Sequence, residues 1–366
     1  MNNFYHSKYA FGKTRPPKKK KSTGYAIIRY ILLIVVIAIL VVGYYLYRAM
    51  FTPNTWTPDG EPVSVYIEPQ DSFDEIKTQM YSKGLILDRQ SFEWLAARKD
   101  YPENIKAGHY AVKPQMTNNE LINILRAGMQ TPVDVIFNNI RTLPELSERV
   151  SEQLMFDSID LMQKLEDTTY IKQLGFDTAT IKSMFIPNTY ELYWTASAED
   201  YTERMKREHD KFWDTTRLKK AEKMGFSPYE VSTLASIVEK ETNKNDEKPT
   251  IAGVYMNRLE RGWKLQADPT LKYAMKDFSL RRVLNRHKNI DSPYNTYKYA
   301  GLPPGPICLP SISSIQAVLN YEDHNYNYFV AKPDFSGYHT FSTTYAEHIR
   351  KAREYQEALN EKRIYN

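Results

Sequence analysis

The sequence predicts an α+β protein on a single N-terminal membrane helix, with a small α/β subdomain ahead of a mixed α+β domain. Three observations carry this. Tyr30 to Tyr47 holds no charged residue and no proline. Strand-like runs, "VSVYI" at Val63 to Ile67 and "VDVIF" at Val133 to Phe137, alternate with capped helical segments. The 366 residues are 42% hydrophobic and 25% charged, a globular composition long enough for two or three domains with their own cores.

The net charge of +5 is unevenly placed. Lys8, Lys13, Arg15, Lys18, Lys19, Lys20, Lys21, Arg29 and Arg48 all precede Asp59, the first acid, and the remaining forty Lys and Arg face 44 Asp and Glu. A nucleic-acid partner is therefore not indicated by charge. With Ala26 to Ile28 and a snorkelling Arg29, the apolar run reaches about 20 residues, enough to cross a ~30 Å hydrocarbon core. Lys and Arg crowd its N-terminal side, so the tail is expected in the cytoplasm and everything after Arg48 outside. A cleaved signal peptide is the alternative, but the run exceeds the usual h-region and no A-x-A-like site follows. Cys308 is the only cysteine, which excludes an intramolecular disulfide and a Cys-based zinc site.

Along the chain, 1–25 reads as a basic cytoplasmic tail, 26–48 as the membrane helix and 49–62, rich in proline, as a linker. A weak repeat follows at an offset of 45: "EPQDSFDEI" from Glu68 and "KPQMTNNEL" from Lys113, with a half copy, "RTLPEL", from Arg141. In each copy Ser72, Thr117 or Thr142 can cap a helix while Glu75, Glu120 or Glu145 reaches back. Gly84 and Gly128 are expected to stop the first two helices, and another short helix is expected around Ser91. "FIPNTYELYW", Phe185 to Trp194, is too aromatic and Pro-interrupted for a regular helix. A long charged helix is expected from Glu199 to Met224.

"SPYEVSTLASIVEKET" from Ser227 has a well-specified helix start: Ser227 as N-cap, Pro228 at the first position and Glu230 at N3. Val231, Leu234, Ala235 and Val238 share one face. Glu239 and Glu241 fall roughly 160° apart on an ideal helix, so they cannot cooperate as a carboxylate pair. Periodicity leaves either eligible for chemistry, or both as solvated charges. Downstream, a second helix buries Val254 and Leu259 and stops at Gly262, followed by an extended piece and a turn at Asp268-Pro269. "SPYNTYKYAGLPPGPI", Ser292 to Ile307, is a stiff loop whose Tyr, Asn and Thr suit a sugar-binding groove. The seven histidines show no H-E-x-x-H pattern, and "GKT" at Gly12 lacks the preceding glycine of a P-loop, so no metal or nucleotide cofactor is expected. His339 is expected to end a hairpin near the groove.

"LASIVEKET", "NRL", "LQADPT", "SPYNTY", "GLPPGPI" and "HTFSTTYAEH" occur in the order and approximate spacing of the membrane-anchored endolytic murein transglycosylases, the MltG/YceG-like family. The resemblance covers roughly Val63 to His348. It implies a LysM-like subdomain over 63–131 and a YceG-like catalytic domain over 132–360. It implies peptidoglycan glycan strands as substrate, peptidoglycan synthases as candidate partners, and residence in the bacterial cytoplasmic membrane. Carried over by position, the catalytic glutamate falls on Glu239, and Gln266, Asp268, Tyr294, Asn295, Thr296 and Tyr297 become substrate-binding candidates. Two places depart from the pattern: Cys308 to Ser311 replaces a Pro-Gly pair, and Asn188 stands where Asp is common.

The implied reaction needs one carboxyl group. It protonates the glycosidic oxygen between MurNAc and GlcNAc, then takes the proton of the muramoyl C6 hydroxyl as a 1,6-anhydro ring closes. A glutamate at its ordinary pKa of about 4.3 is only ~0.2% protonated at pH 7, so the acid should be lifted to about 6–7 by partial burial. Glu239 is accordingly expected to be half-buried and Glu241 exposed or structural. A non-catalytic wall-binding scaffold and a hydrolytic muramidase are the alternative functions.

Overall fold

The computed structural model describes residues 23–280 and 283–362, together with Met1 and Gly12. The basic tail expected over 1–25 lies, as far as residue 22 and apart from Met1 and Gly12, outside the described residues. The remainder is a mixed helix and strand protein with small two-stranded sheets and one long N-terminal apolar helix.

Helix α1, Thr23–Phe51, runs 29 residues, about 43 Å at 1.5 Å per residue. Its most apolar stretch has a mean hydropathy of 2.9 and is not covered by protein. It passes the length and composition test for a membrane span.

The chain then divides into two compact units. The first holds α1, the start of β1 (Val63–Ile67), α2 (Phe73–Ser82), α3 (Arg89–Arg98), the end of β2 (Gly108–Val112) and α4 (Asn118–Ala127). The repeat appears as helices with reciprocal caps. Ser72 and Glu75 exchange backbone bonds at the start of α2, and Thr117 and Glu120 do so at the start of α4. Gly84 and Gly128, at φ of 67° and 69°, follow the ends of α2 and α4 in the left-handed conformation that glycine adopts without a Cβ penalty. The segment expected as a free linker, 49–62, differs. Asn54 and Thr55 are buried; Asn54 donates through Nδ2 to Asn118 at 2.7 Å, and the Thr55 hydroxyl donates to the Lys113 carbonyl at 2.7 Å. Satisfying these buried polar groups turns a Pro-rich stretch into part of the fold.

The second unit holds residues 66–70, 107–111 and everything from 128 onward, so the boundary does not fall at a single point near 131. Tyr66 explains part of this: its ring lies 4.7 Å from His109 and 5.2 Å from Trp194, within the second unit. β3 (Val133–Ile136) pairs antiparallel with β4 (Thr189–Leu192), Val133 opposite Leu192. Between them lie α5 (Leu143–Ser151), α6 (Ser158–Glu166) and α7 (Thr168–Gln173), packed around Phe137, Leu146, Leu161 and Phe185. The long helix expected over 199–224 is two helices, α8 (Ala198–Phe212) and α9 (Thr215–Lys223). The chain leaves helical geometry at Trp213, which turns into the core, and Asp214 caps the new start by accepting the Arg217 N–H at 2.9 Å.

A second cluster forms around α10 (Pro228–Glu241), α11 (Lys248–Glu260), α12 (Asp268–Ala274) and α13 (Ile312–Leu319). The expected Asp268-Pro269 turn is the first turn of α12, where proline's missing N–H costs nothing. β5 (Tyr328–Ala331) and β6 (His339–Ser342) form an antiparallel hairpin, and α14 (Tyr345–Glu361) follows. The Pro-rich loop is fixed by close backbone contact. A Cβ at Gly305 would lie 1.9 Å from the Ala179 carbonyl oxygen. Gly305→Ala is therefore expected to destabilise by about 1–3 kcal/mol, read as a lower urea midpoint at unchanged slope.

Candidate active site

The site is built from the end of α10. Ser227 fixes its start, with its N–H and hydroxyl donating to the Glu230 carboxylate at 2.8 and 2.7 Å. Every residue from Val231 to Val238 is buried, so α10 is a central helix covered on all sides rather than a one-faced one. Only its last turn emerges, and there the two glutamates diverge as helix geometry requires.

Glu239 turns toward the starts of α11 and α13. It accepts from Lys248 Nζ at 3.0 Å, from the Ser311 hydroxyl at 2.5 Å and from the Ser314 hydroxyl. Burial pushes its carboxyl up, but the two hydroxyls and the Lys248 ammonium outweigh burial and hold the pKa below the ordinary glutamate value. Glu241 turns toward the face of α11 and accepts from the Tyr255 hydroxyl at 2.6 Å. Burial lifts its pKa to about 7; the Tyr255 bond opposes the rise, the Asp268 charge adds to it, and Arg258 and Lys272 counter it. The residue as a whole keeps some exposed surface, while the carboxyl itself is desolvated.

Asp268 is exposed and accepts the Tyr297 hydroxyl at 2.5 Å. Burial, with Asp268 beside it, keeps that phenol well above its ordinary range and hence protonated. Gln266 sits at φ +52°, a conformation few non-glycine residues adopt, held by its N–H donating to the Thr296 carbonyl at 3.0 Å. Glu241, Asp268, Tyr297 and Gln266 thus belong to one locality, with Tyr255 and Arg258 behind them.

Residues 65–354 match the model of the YceG-like family. The chain belongs to the YceG-like family. It is 28% identical over 343 residues to an endolytic murein transglycosylase of Bacillus subtilis, covering 88% of this chain and 93% of that one. It is 29% identical over 304 residues to an endolytic murein transglycosylase of Streptococcus pneumoniae, covering 74% of this chain and 54% of that longer one. A crystal structure of a YceG-like protein from Listeria monocytogenes superposes with a TM-score of 0.55 at 29% identity, covering 79% of this chain and 98% of that one.

Within this YceG-like framework several expectations change. The raised carboxyl is Glu241, not Glu239, because burial dominates at Glu241 while three donors outweigh burial at Glu239. Asn295 and Thr296 are buried and consumed by the loop itself. Asn295 donates to the Lys288 and Ile290 carbonyls and accepts from the Tyr297 and Lys298 N–H groups. Thr296 accepts the Ala267 N–H at 3.0 Å and meets the Thr270 hydroxyl at 2.8 Å. Tyr294 packs on Tyr273, ring centroids 4.7 Å apart, beside a buried Lys182 whose ammonium donates to the Tyr273 hydroxyl at 2.6 Å. These three residues fix the loop's own conformation. The atypical loop after "GLPPGPI" is anchored: the Ile307 N–H donates to Ser236 Oγ at 2.9 Å, the Leu309 N–H to the Ile140 carbonyl at 2.8 Å, and Ser311 reaches Glu239. Asn188 accepts the neighbouring Thr189 N–H at 2.9 Å. His339 begins β6 and binds Glu247 through both its backbone N–H, 2.6 Å, and Nδ1, 2.8 Å. Glu247 also accepts the Thr242 hydroxyl at 3.2 Å, so the hairpin is tied to the residue after Glu241. Tyr255 and Glu247 carried no one-dimensional signal, since their partners lie 14 and 92 residues away.

Proposed function

We propose that the chain is an endolytic murein transglycosylase that cleaves the MurNAc-GlcNAc bond of glycan strands with formation of a 1,6-anhydro-MurNAc end, and that Glu241 is its acid and base. The observation that carries this is the elevated carboxyl, near pKa 7, in the same locality as Gln266, Asp268 and Tyr297. At that pKa about half the enzyme holds the proton at pH 7, and the same group as carboxylate is basic enough to accept one from the C6 hydroxyl. Tyr297, kept neutral by burial and donating its hydroxyl to Asp268, can accept from a sugar hydroxyl, and the Asp268 charge is available to the developing oxocarbenium ion. The names and coverage of the relatives support this substrate class.

A hydrolytic muramidase is the second reading, favoured by one feature: Asp268 lies close enough for its charge to raise the Glu241 pKa, and hydrolases use two carboxyls. A silent scaffold would leave the elevated carboxyl without a use. Incubating the full chain in detergent micelles with peptidoglycan and analysing ends by mass spectrometry tests all three. Anhydro ends are expected; ordinary reducing ends would replace the transglycosylase with the hydrolase, and no new ends would sink both.

Around this chemistry, α1 is read as a single-pass anchor with its basic N-terminal flank in the cytoplasm and the catalytic unit outside. The capped strand-helix units of 63–131 are read as LysM-like, and confinement at the membrane favours nascent strands and the synthases that make them.

The Tyr255 bond to Glu241 gives a further check. That bond stabilises the carboxylate, so Tyr255→Phe should raise the Glu241 pKa and move the alkaline limb of kcat/KM, set by loss of the acid's proton, to higher pH. A limb that stays put or moves down would remove Glu241 from the acid role.

A further inference from the structure

A depression of about 420 Å³ is lined by Arg258, Gly262, Trp263, Lys264, Gln266 and Tyr328. It meets the residues of the candidate active site at Gln266 and Arg258. Gln266 belongs to both, and the Arg258 guanidinium acts electrostatically on Glu241 and on Tyr297. Its volume falls in the range of small-molecule sites.

The depression is preorganised. Trp263 follows the left-handed Gly262 at the end of α11 and is 42% exposed, unusual for the largest apolar side chain. Its backbone N–H donates to the Arg258 carbonyl at 2.8 Å, the Arg261 guanidinium sits 5.6 Å from its ring, and the Tyr328 ring lies 6.2 Å away. Arg261 is itself held by Asn327 and Tyr328 by a stacked His348, so the ring is braced from several elements. Around it are unused polar ends: among the described residues neither the Lys264 ammonium nor the Gln266 amide has a protein partner. A fixed aromatic plane ringed by an amide and an ammonium matches a pyranose with an N-acetyl group, which offers an apolar face, hydroxyls and an amide carbonyl.

We propose that Trp263 is the floor of a sugar subsite that holds an N-acetylhexosamine ring of the strand adjoining the scissile bond, with Gln266 and Lys264 bonding its polar substituents. This rests on the transglycosylase reading and goes beyond it: it assigns the side of the site on which the polymer is gripped and the residue that sets affinity for it. Trp263 acts in binding and not in proton transfer.

The test uses the full chain carrying Glu241→Gln, in detergent micelles, titrated calorimetrically with peptide-free (GlcNAc-MurNAc) strands. Adding Trp263→Ala is expected to weaken binding by about tenfold, and Trp263→Tyr, which keeps a ring, to restore most of it. In the cutting parent, Trp263→Ala should raise KM on the same strands while kcat changes by less than about twofold. Unchanged affinity and KM in Trp263→Ala would overturn the subsite. Absence of anhydro ends in the parent would overturn the transglycosylase reading itself, and the subsite with it.

Discussion

Replacing Glu241 with glutamine is expected to abolish 1,6-anhydro end formation, with kcat/KM falling by about 10²–10⁴-fold, the usual contribution of a positioned acid and base. Glutamine keeps the shape and can still accept the Tyr255 hydroxyl, so groove geometry should survive and glycan affinity should persist. Glu239→Gln should behave differently, retaining anhydro product wherever the chain stays folded. If Glu239→Gln is the silent variant and Glu241→Gln the active one, the assignment is reversed. Stability offers a second readout with a definite sign. A carboxyl whose pKa rises from 4.5 unfolded to about 7 folded binds its proton more tightly in the native state. Native stability therefore declines as pH rises from about 4.5 to about 7 and stays at the lower level above that. Glu241→Gln carries no charge to desolvate, so its thermal midpoint should exceed the parent's at pH 8 and match it near pH 4. An enzyme that is less stable with its catalytic acid in place is the expected trade of fold stability for function.

Much of this was legible from the residues alone because it rests on local rules. The capping boxes at Ser72, Thr142 and Ser227, the stops at Gly84 and Gly128 and the membrane-length helix depend only on neighbours a few positions away. The order of six motifs marks out the turn at Gln266 to Asp268 and the loop from Ser292 in sequence. What they could not convey is which way each side chain faces. In "SPYNTY" Asn295 turns inward to bond two carbonyls seven and five residues back, and Thr296 is buried beside it. Helix geometry alone leaves the choice between Glu239 and Glu241 open for the same reason. Helix geometry showed that they diverge, but the donors that lower one pKa come from Lys248, Ser311 and Ser314, up to 75 residues away. The break at Trp213 was missed because a charged, helix-favouring composition hides a single large residue that gains more by burial than by continuing the helix.

Glu239 then carries the second large effect, on stability. Its partner Lys248 has a side chain only 5% exposed, and Glu239 itself 22%, so this is a largely buried ion pair joining α10 to α11, with Ser311 and Ser314 adding α13. Removing one member leaves the other charged and without its counterion in a poorly solvated place. Glu239→Leu is expected to cost about 3–5 kcal/mol at pH 7, measured by chemical denaturation. The pH dependence has the opposite sign to that of Glu241. Because the folded pKa is lowered, the stabilisation is fully present above the unfolded value of 4.5 and is lost as pH falls through the folded value below it. Parent and Glu239→Leu should therefore converge in acid. Adding Lys248→Met to Glu239→Leu should recover most of the loss, since an apolar pair of similar size needs no desolvated charge. Full recovery of folding with anhydro product retained would place the pair in the scaffold of the groove; recovery of folding without product would return Glu239 to the chemistry.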